Sequence, residues 1–315
     1  MKPFAFVFPG QGSQSVGMLD AWGDHPIVVQ TLQEASDALG EDVTALIKNG
    51  PKEALALTTN TQPVMLVSAV AAYRVWLAET GLTPSVVAGH SLGEYSALVA
   101  SGVLTLARAA PLVRLRAQAM QDAVPVGQGA MAAILGLDAT KIIAVCADIT
   151  SASGENGSVQ AANFNDPGQT VISGSKAAVD AACEQLKAAG AKRALILPVS
   201  APFHSQLMRP AAEKLQEALK SVTFAAPQIP VVNNVDVSVQ SDAVAIKDAL
   251  YRQAFGPVRW VECVAAIKAR GVTTIVECGP GKVLAGLVRR IDAELTGVAL
   301  FDPASLAEVK ALIQG

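Results

Sequence analysis

Residues 85–99 read Ser-Val-Val-Ala-Gly-His-Ser-Leu-Gly-Glu-Tyr-Ser-Ala-Leu-Val. Ser85–Ala88 is a short, mostly apolar run, the pattern of a buried strand. Glu94–Val99 opens a helix. Between them Gly89, Ser91 and Gly93 spell Gly-x-Ser-x-Gly. On a sharp strand-to-helix turn this pattern lifts the serine hydroxyl above the sheet edge, and the flanking glycines let the turn close without a Cβ clash. The pattern also arises by chance in glycine-containing loops. Its strand-to-helix setting is what makes Ser91 a candidate nucleophile.

Upstream, Phe4–Phe8 reads as another buried strand, followed by the glycine-rich loop Pro9-Gly10-Gln11-Gly12-Ser13-Gln14. Helical periodicity covers 26–39 and 61–79, with Asn60 as the cap of the second. A long helix is predicted over 105–123, capped by Thr105, with Pro111 near its second turn. The pattern changes at Pro125-Val126-Gly127-Gln128-Gly129. Strands at 130–136, 158–164, 169–173 and 192–198 and helices at 138–147 and 175–189 follow in the order βαββαβ, the split βαβ of a ferredoxin-like unit. Gly154-Glu155-Asn156-Gly157 and Asp166-Pro167-Gly168 supply its turns. After Pro198, helices are expected near 205–220, 243–255 and 260–270. A strand, Thr273–Glu277, then leads through Gly279-Pro280-Gly281-Lys282 into another helix. The chain thus reads as α/β. Residues 1–126 and 200–315 form a large domain on a mainly parallel sheet covered on both faces, and 127–199 form an inserted ferredoxin-like small domain.

The 315 residues are 51% hydrophobic and 16% charged, enough apolar surface for a substantial core. A net charge of −3 gives no basic excess for nucleic acid. The apolar opening is too short for a signal peptide, and no run approaches a membrane span. Cys146, Cys183, Cys263 and Cys278 are widely spaced and, with three histidines in all, match no zinc pattern. They read as reduced, buried thiols of a cytoplasmic protein without a metal. No exposed apolar stripe stands out, so a monomer is expected.

A serine hydroxyl needs a base, and histidine is the usual one. His90 neighbours Ser91, but adjacent side chains on a tight elbow diverge. His25 lies in a polar stretch with no companion signal. His204 follows Pro198-Val199-Ser200-Ala201-Pro202-Phe203, where the chain leaves a strand, and ligands bind at strand carboxyl ends in open α/β sheets. By elimination His204 is the base. A tetrahedral intermediate needs two N–H donors; the residue after the nucleophile, Leu92, supplies one, and the Gln11 amide on its glycine loop supplies the other. Losing one such donor costs about 3 kcal/mol of transition-state stabilisation. Gly10-x-Gly12 lacks the third glycine of a dinucleotide fingerprint, and Gly279-Pro280-Gly281-Lys282-Val283 lacks the spacing of a phosphate loop. A hydrolase triad would also want an acid. The carboxylates between Ser91 and His204, such as Asp180 and Glu184, fall mostly in the predicted insert on a solvated helix face. Arg114 and Arg116 lie on different faces of the 105–123 helix, and spacing does not choose between them.

Phe-Pro-Gly-Gln-Gly-Ser-Gln at 8–14, Gly-His-Ser-Leu-Gly-Glu at 89–94, Asn163-Phe164-Asn165, Pro198-Val199-Ser200-x-Pro202-x-His204, Val232-Asn233-Asn234 and Gly279-Pro280-Gly281-Lys282 occur in one order. Together they resemble the bacterial malonyl-CoA:acyl carrier protein transacylase family, from about Phe4 to Arg290. The resemblance implies an α/β-hydrolase-like domain with a ferredoxin-like insert. It implies a two-step exchange: serine takes the malonyl group from malonyl-CoA, and the pantetheine thiol of holo acyl carrier protein takes it from the serine. It implies Ser91 as nucleophile, His204 as acid/base, and Gln11 and Leu92 as oxyanion amides. It also implies that Arg116, in Leu112-Val113-Arg114-Leu115-Arg116-x-x-x-Met120, holds the malonate carboxylate, as a planar guanidinium can do with two parallel hydrogen bonds. By the same resemblance a backbone carbonyl near Gln253 orients the histidine, Asn163 and Asn165 sit at the cleft lip, and Phe203 and Met120 are cleft residues. No permanently bound cofactor is implied, only a coenzyme A thioester as substrate. Acyl carrier proteins are acidic, so a basic rim is expected, with Lys192-Arg193 and Arg289-Arg290 as candidates. The competing readings are a serine thioesterase or hydrolase on the same elbow, a trans-acting acyltransferase serving polyketide synthesis, and a non-catalytic scaffold.

Overall fold

The computed structural model describes residues 2–154 and 157–315. Strands β1 (Phe4–Phe8), β2 (Val86–Gly89), β7 (Val231–Val232), β8 (Thr274–Cys278) and β9 (Thr296–Leu300) form a sheet in the order β7-β2-β1-β8-β9. Every neighbouring pair in it is parallel. The helices are α1 (Pro26–Leu39), α2 (Val43–Asn49), α3 (Lys52–Ala56), α4 (Thr58–Thr80), α5 (Gly93–Ala100), α6 (Leu106–Asp122), α7 (Ala139–Ser153), α8 (Lys176–Ala188), α9 (Arg209–Ser221), α10 (Ala243–Phe255), α11 (Trp260–Lys268), α12 (Val283–Ile291) and α13 (Pro303–Gln314).

The central strand β1 explains the layering. Successive strand side chains point to opposite faces. Phe4, Phe6 and Phe8 enter the core shared with α4, while Ala5 and Val7 enter the core shared with Val86, Ala88 and Trp260. On the first face Trp76 meets the Phe4 and Phe6 rings edge-on at 5.9 and 5.4 Å, and Tyr73 meets Phe6 and Phe8 at 5.9 and 6.1 Å. Each such ring, fully buried, contributes roughly 1.5–3 kcal/mol. A strand apolar on both faces has no polar alternation, which is why Phe4–Phe8 reads as one continuous run.

The second sheet is antiparallel, in the order β4-β5-β3-β6, from β3 (Gly129–Leu135), β4 (Val159–Asp166), β5 (Gln169–Ser175) and β6 (Arg193–Ile196). With α7 and α8 on one face it has the ferredoxin-like order of elements. Ala132, Ile134, Ile142, Ile172 and Leu186 fill that face, whereas Met131, Ala133 and Val171 turn toward the main core. The β4–β5 turn is closed by Asp166, whose carboxylate accepts the Gly168 N–H at 2.8 Å. Of the expected turn at 154–157, Glu155 and Asn156 lie outside the described residues.

One of the two expected caps differs from the structure. Helix α4 starts at Thr58, so Asn60 is inside it; its side chain donates to the Ala54 carbonyl at 3.0 Å and ties α4 to α3. Thr105 stands at the cap of α6 but makes no side-chain capping bond, and α6 runs on through Pro111. The four cysteines are buried and unpaired. Among the described residues no helix is long and apolar enough to cross a membrane, and no cluster of His, Cys, Asp and Glu could hold a metal.

Candidate active site

The turn from β2 into α5 is as tight as backbone permits. A Cβ on Gly89 would lie 1.9 Å from the Gly93 carbonyl carbon, and one on Gly93 would lie 2.0 Å from the Phe8 carbonyl oxygen. No side chain fits at either position. Ser91 between them has φ +53°, a left-handed conformation that costs a non-glycine residue roughly 1–2 kcal/mol. The loop after β1 packs on the same turn: the His90 N–H donates to the Phe8 carbonyl at 2.9 Å, and a Cβ on Gly10 would lie 2.7 Å from the His90 carbonyl. Gly10-Gln11-Gly12 is therefore held beside the serine. Among the described residues neither the Gln11 nor the Leu92 backbone N–H donates to a protein acceptor. A site for a developing oxyanion requires such uncommitted donors.

His204 reaches this turn from the segment after β6. Its Nε2 lies 2.6 Å from Ser91 Oγ. Its Nδ1 lies 2.9 Å from the Gln253 carbonyl and 3.2 Å from the Gly256 carbonyl. Carbonyl oxygens only accept, so Nδ1 carries the proton and Nε2 presents its lone pair to the serine. No carboxylate orients this imidazole; two backbone carbonyls at the end of α10 do. Burial, with the Arg116 guanidinium second, pushes His204 down to about 3. The free base is then the resting form well below neutral pH. We expect the Ser91 acylation rate to lack an acid limb near pH 6.5. An unperturbed imidazole would give a fall of roughly eightfold between pH 7 and 5.5; rapid-quench mass spectrometry across that range would reveal it, and such a fall would mean His204 titrates normally.

Arg116 is 2% exposed, and its hydrogen bonds all go to neutral oxygens. Nη1 donates to Gln62 Oε1 at 2.6 Å, and Nη2 donates to Gln253 Oε1 at 3.1 Å and Ser91 Oγ at 3.3 Å. Its Nε has no partner. Arg114 points elsewhere: it pairs with Glu41 at 2.5 Å and donates to Asn60 at 3.1 Å. Of the two arginines that helix spacing leaves open, Arg116 and not Arg114 lies beside Ser91.

A family model described as the acyl transferase domain matches residues 5–298. The chain is 54% identical over 308 residues to the malonyl CoA-acyl carrier protein transacylase of Salmonella typhimurium, covering 98% of each protein. It belongs to the malonyl-CoA:acyl carrier protein transacylase family. Among solved structures, the acyl-carrier-protein S-malonyltransferase of Burkholderia pseudomallei 1710b is 62% identical, with 99% of this chain and 100% of that one aligned at a TM-score of 0.95. A malonyl-transacylase in complex with its type II PKS acyl-carrier protein is 50% identical, with 100% of both chains aligned at a TM-score of 0.95.

The remaining residues that the family resemblance singles out are spread around this centre. His90 Nε2–H donates to Asn165 Oδ1 at 2.8 Å, and the His90 ring packs on Trp260. His90 is thereby turned away from the Ser91–His204 pair, while His25 caps α1 through Nδ1. Asn163 is buried where β4 bridges to Val258. Phe203 is buried in the main core, and the Met120 sulfur faces the Gln62 amide at 3.9 Å. Of the basic residues, Arg290 pairs with Asp166 at 2.8 Å, and Arg289 donates to the Gly297 carbonyl at 2.9 Å. Arg193, the first residue of the outer strand β6, and Lys192 just before it are exposed.

Sequence reasoning missed Gln62, Glu94 and the part played by Asn234. Gln62 also donates to Gln11 Oε1 at 3.2 Å, linking the Arg116 guanidinium to the loop after β1. Glu94 is buried beneath Ser91 and accepts from the Asn234 N–H at 2.9 Å and Gln253 Nε2 at 3.2 Å. Burial pushes its carboxyl up to about 7 against those bonds. One signal was available: Glu94 is a charged residue opening an otherwise apolar helix, and such a side chain must find buried partners.

Proposed function

We propose that the protein moves a malonyl group from malonyl-CoA to the phosphopantetheine thiol of holo acyl carrier protein through a malonyl-Ser91 intermediate. Ser91 Oγ attacks the thioester carbonyl as its proton passes to His204 Nε2. The Gln11 and Leu92 amides hold the oxyanion. Collapse expels the coenzyme A sulfur, which takes the proton from His204. In the second half the carrier thiol gives its proton to His204 and attacks the malonyl ester, and Ser91 leaves with that proton. The Gln253 carbonyl keeps the imidazole in the tautomer both halves need. No resident cofactor enters the scheme.

The observation that carries this reading is Arg116. A guanidinium buried within hydrogen-bond reach of the nucleophile, bonded only to neutral oxygens, is matched by an acyl group that ends in a carboxylate. Asn163, Asn165, Phe203 and Met120 would shape the surrounding cleft. We assign the catalytic unit to residues 1–126 and 200–315 and the ferredoxin-like unit to 127–199. Four buried, unpaired thiols fit a cytoplasmic protein, and a monomer suffices for the scheme, since the site needs no second chain.

Intact mass after mixing with malonyl-CoA, then with holo carrier protein, tests the scheme. The expected record is a malonyl adduct on Ser91 that moves to the carrier. Free malonate released at one rate with or without carrier would identify a hydrolase. The relative solved with a polyketide carrier supports a second acceptor, so carriers of both pathways belong in the assay.

The acidic carrier is assigned to the exposed Lys192-Arg193 edge, since Arg290 is already paired with Asp166. Reversing both charges, K192E with R193E, is expected to raise KM for the carrier about tenfold at low salt and less at high salt, with Ser91 acylation unchanged. An unchanged carrier KM in steady-state assays would move the docking surface elsewhere.

A further inference from the structure

We propose that Asn234 is a positioning residue for the nucleophile, its carboxamide standing in for a strand at the point where the chain leaves the sheet to form the elbow. Strand β7 pairs with β2 only through Val231 and Val232, opposite Val87 and Ala88. Two residues later the backbone ladder has ended, yet Gly89 and Ser91 still have peptide groups to satisfy. The Asn234 side chain meets both. Its Oδ1 accepts the Ser91 N–H at 2.7 Å, and its Nδ2 donates to the Gly89 carbonyl at 2.7 Å. Only one orientation of the amide serves both, because a carbonyl accepts and an N–H donates.

Asn234 is itself fixed from all sides. It is fully buried, its N–H donates to Glu94 Oε2 at 2.9 Å, and its carbonyl accepts the Arg259 N–H at 3.2 Å. The other end of the Ser91 residue is held in the same way: the Ser91 carbonyl accepts Gln253 Nε2 at 2.9 Å. Both peptide groups of a left-handed serine are thus gripped by side chains from residues 143 and 162 positions away. Gln253 also supplies the carbonyl that orients His204. One C-terminal frame therefore sets both partners of the Ser91–His204 contact, and Glu94 joins its two halves by accepting from Asn234 and Gln253 together.

This inference rests on Ser91 being the nucleophile. Its test is the rate of Ser91 acylation by malonyl-CoA, read by rapid-quench mass spectrometry on the full chain. Asn234→Leu removes both bonds with the same number and branching of side-chain heavy atoms. It is expected to slow acylation about a hundredfold while KM for malonyl-CoA stays within about threefold, the cost of a reacting atom misplaced by roughly an ångström. Asn234→Asp keeps the shape and makes the second bond titratable. A protonated carboxyl both accepts and donates, whereas a carboxylate only accepts and faces the Gly89 carbonyl. Glu94, Arg116, Asp236, Arg259 and Cys263 surround the position and set where it titrates. Relative to the native rate at the same pH, the acylation rate of Asn234→Asp is expected to fall as pH rises from 5 to 8 and to recover toward the native rate at the acid end. Circular dichroism at each pH accompanies the rates. Acylation by Asn234→Leu within threefold of native, an Asn234→Asp profile parallel to the native one, or a limb that merely follows loss of the folded signal would each overturn the proposal. Should Asn234→Leu not fold, Asn234→Asp decides alone. Absence of a malonyl adduct on native Ser91 would instead overturn the function proposed above.

Discussion

Ser91→Ala is expected to lower malonyl transfer by a factor on the order of 10^6 and to leave no malonyl adduct by intact mass. In the proposed scheme the oxygen it removes forms the bond in the first half-reaction and breaks it in the second, so neither half has a substitute. What survives is direct exchange between the carrier thiol and the bound thioester, helped only by the oxyanion amides. His204→Ala separates the roles. It keeps the hydroxyl and removes the imidazole 2.6 Å away that takes its proton in the proposed scheme. Acylation is expected to slow by roughly 10^2–10^4, the usual worth of a positioned base. Both variants should keep the native fold, because Ser91 Oγ and His204 Nε2 face each other and not the sheet ladder. Acylation of His204→Ala within tenfold of native would mean that another group is the base. His90 would be the first to examine, though its Nε2 is engaged with Asn165.

How much of this site could be read from the residues varies with how local its cause is. The elbow is local. Two glycines and a serine between a strand and a helix carry their own steric logic, and the structure shows the contacts that logic demands. Long periodic elements were equally legible; the helix expected over 243–255 is α10, Ala243–Phe255. Short elements were not. Helices α2 and α3 are interrupted at Gly50-Pro51, and β7 has two residues, too few for any periodicity. Strand β9, Thr-Gly-Val-Ala-Leu, contains a glycine and owes its state to pairing with β8. The orienting group of His204 is a backbone carbonyl, which no side-chain pattern reveals. Arg114 and Arg116 are chemically identical in the sequence, and only Glu41 and Asn60 on other elements draw Arg114 outward. The clamp by Asn234 joins residues 143 apart, a separation at which sequence reading has no purchase without a fold.

Arg116→Ala is expected to lower kcat/KM for malonyl-CoA by roughly 10^2–10^4 and to change the slow reaction with acetyl-CoA by less than about threefold, since removing one partner of a buried, hydrogen-bonded charge pair typically costs about 3–5 kcal/mol. The two acyl groups differ only in the distal carboxylate. The guanidinium is desolvated, which holds its pKa below the usual arginine value and leaves its charge poorly compensated by the neutral oxygens around it. A carboxylate arriving there restores what burial removed, so most of the difference should appear in kcat/KM and not in the rate of carrier attack. Nε has no partner, and a carboxylate bound across Nε and Nη2 would form two parallel hydrogen bonds by taking the place of Ser91 Oγ or Gln253 Oε1 on Nη2. Arg116→Lys should recover only part of the loss, because an ammonium on a flexible stem keeps the charge and loses the fork. Gln62→Leu gives an independent reading of the same clamp. It removes the oxygen 2.6 Å from Nη1, frees the guanidinium to turn, and should weaken malonyl more than acetyl transfer. Equal losses on both thioesters, measured as initial rates with one carrier, would show that Arg116 supports the fold of the site instead of reading the substrate. The ratio of the two rates, and not the malonyl rate alone, is therefore the quantity that decides whether the buried guanidinium selects the acyl group.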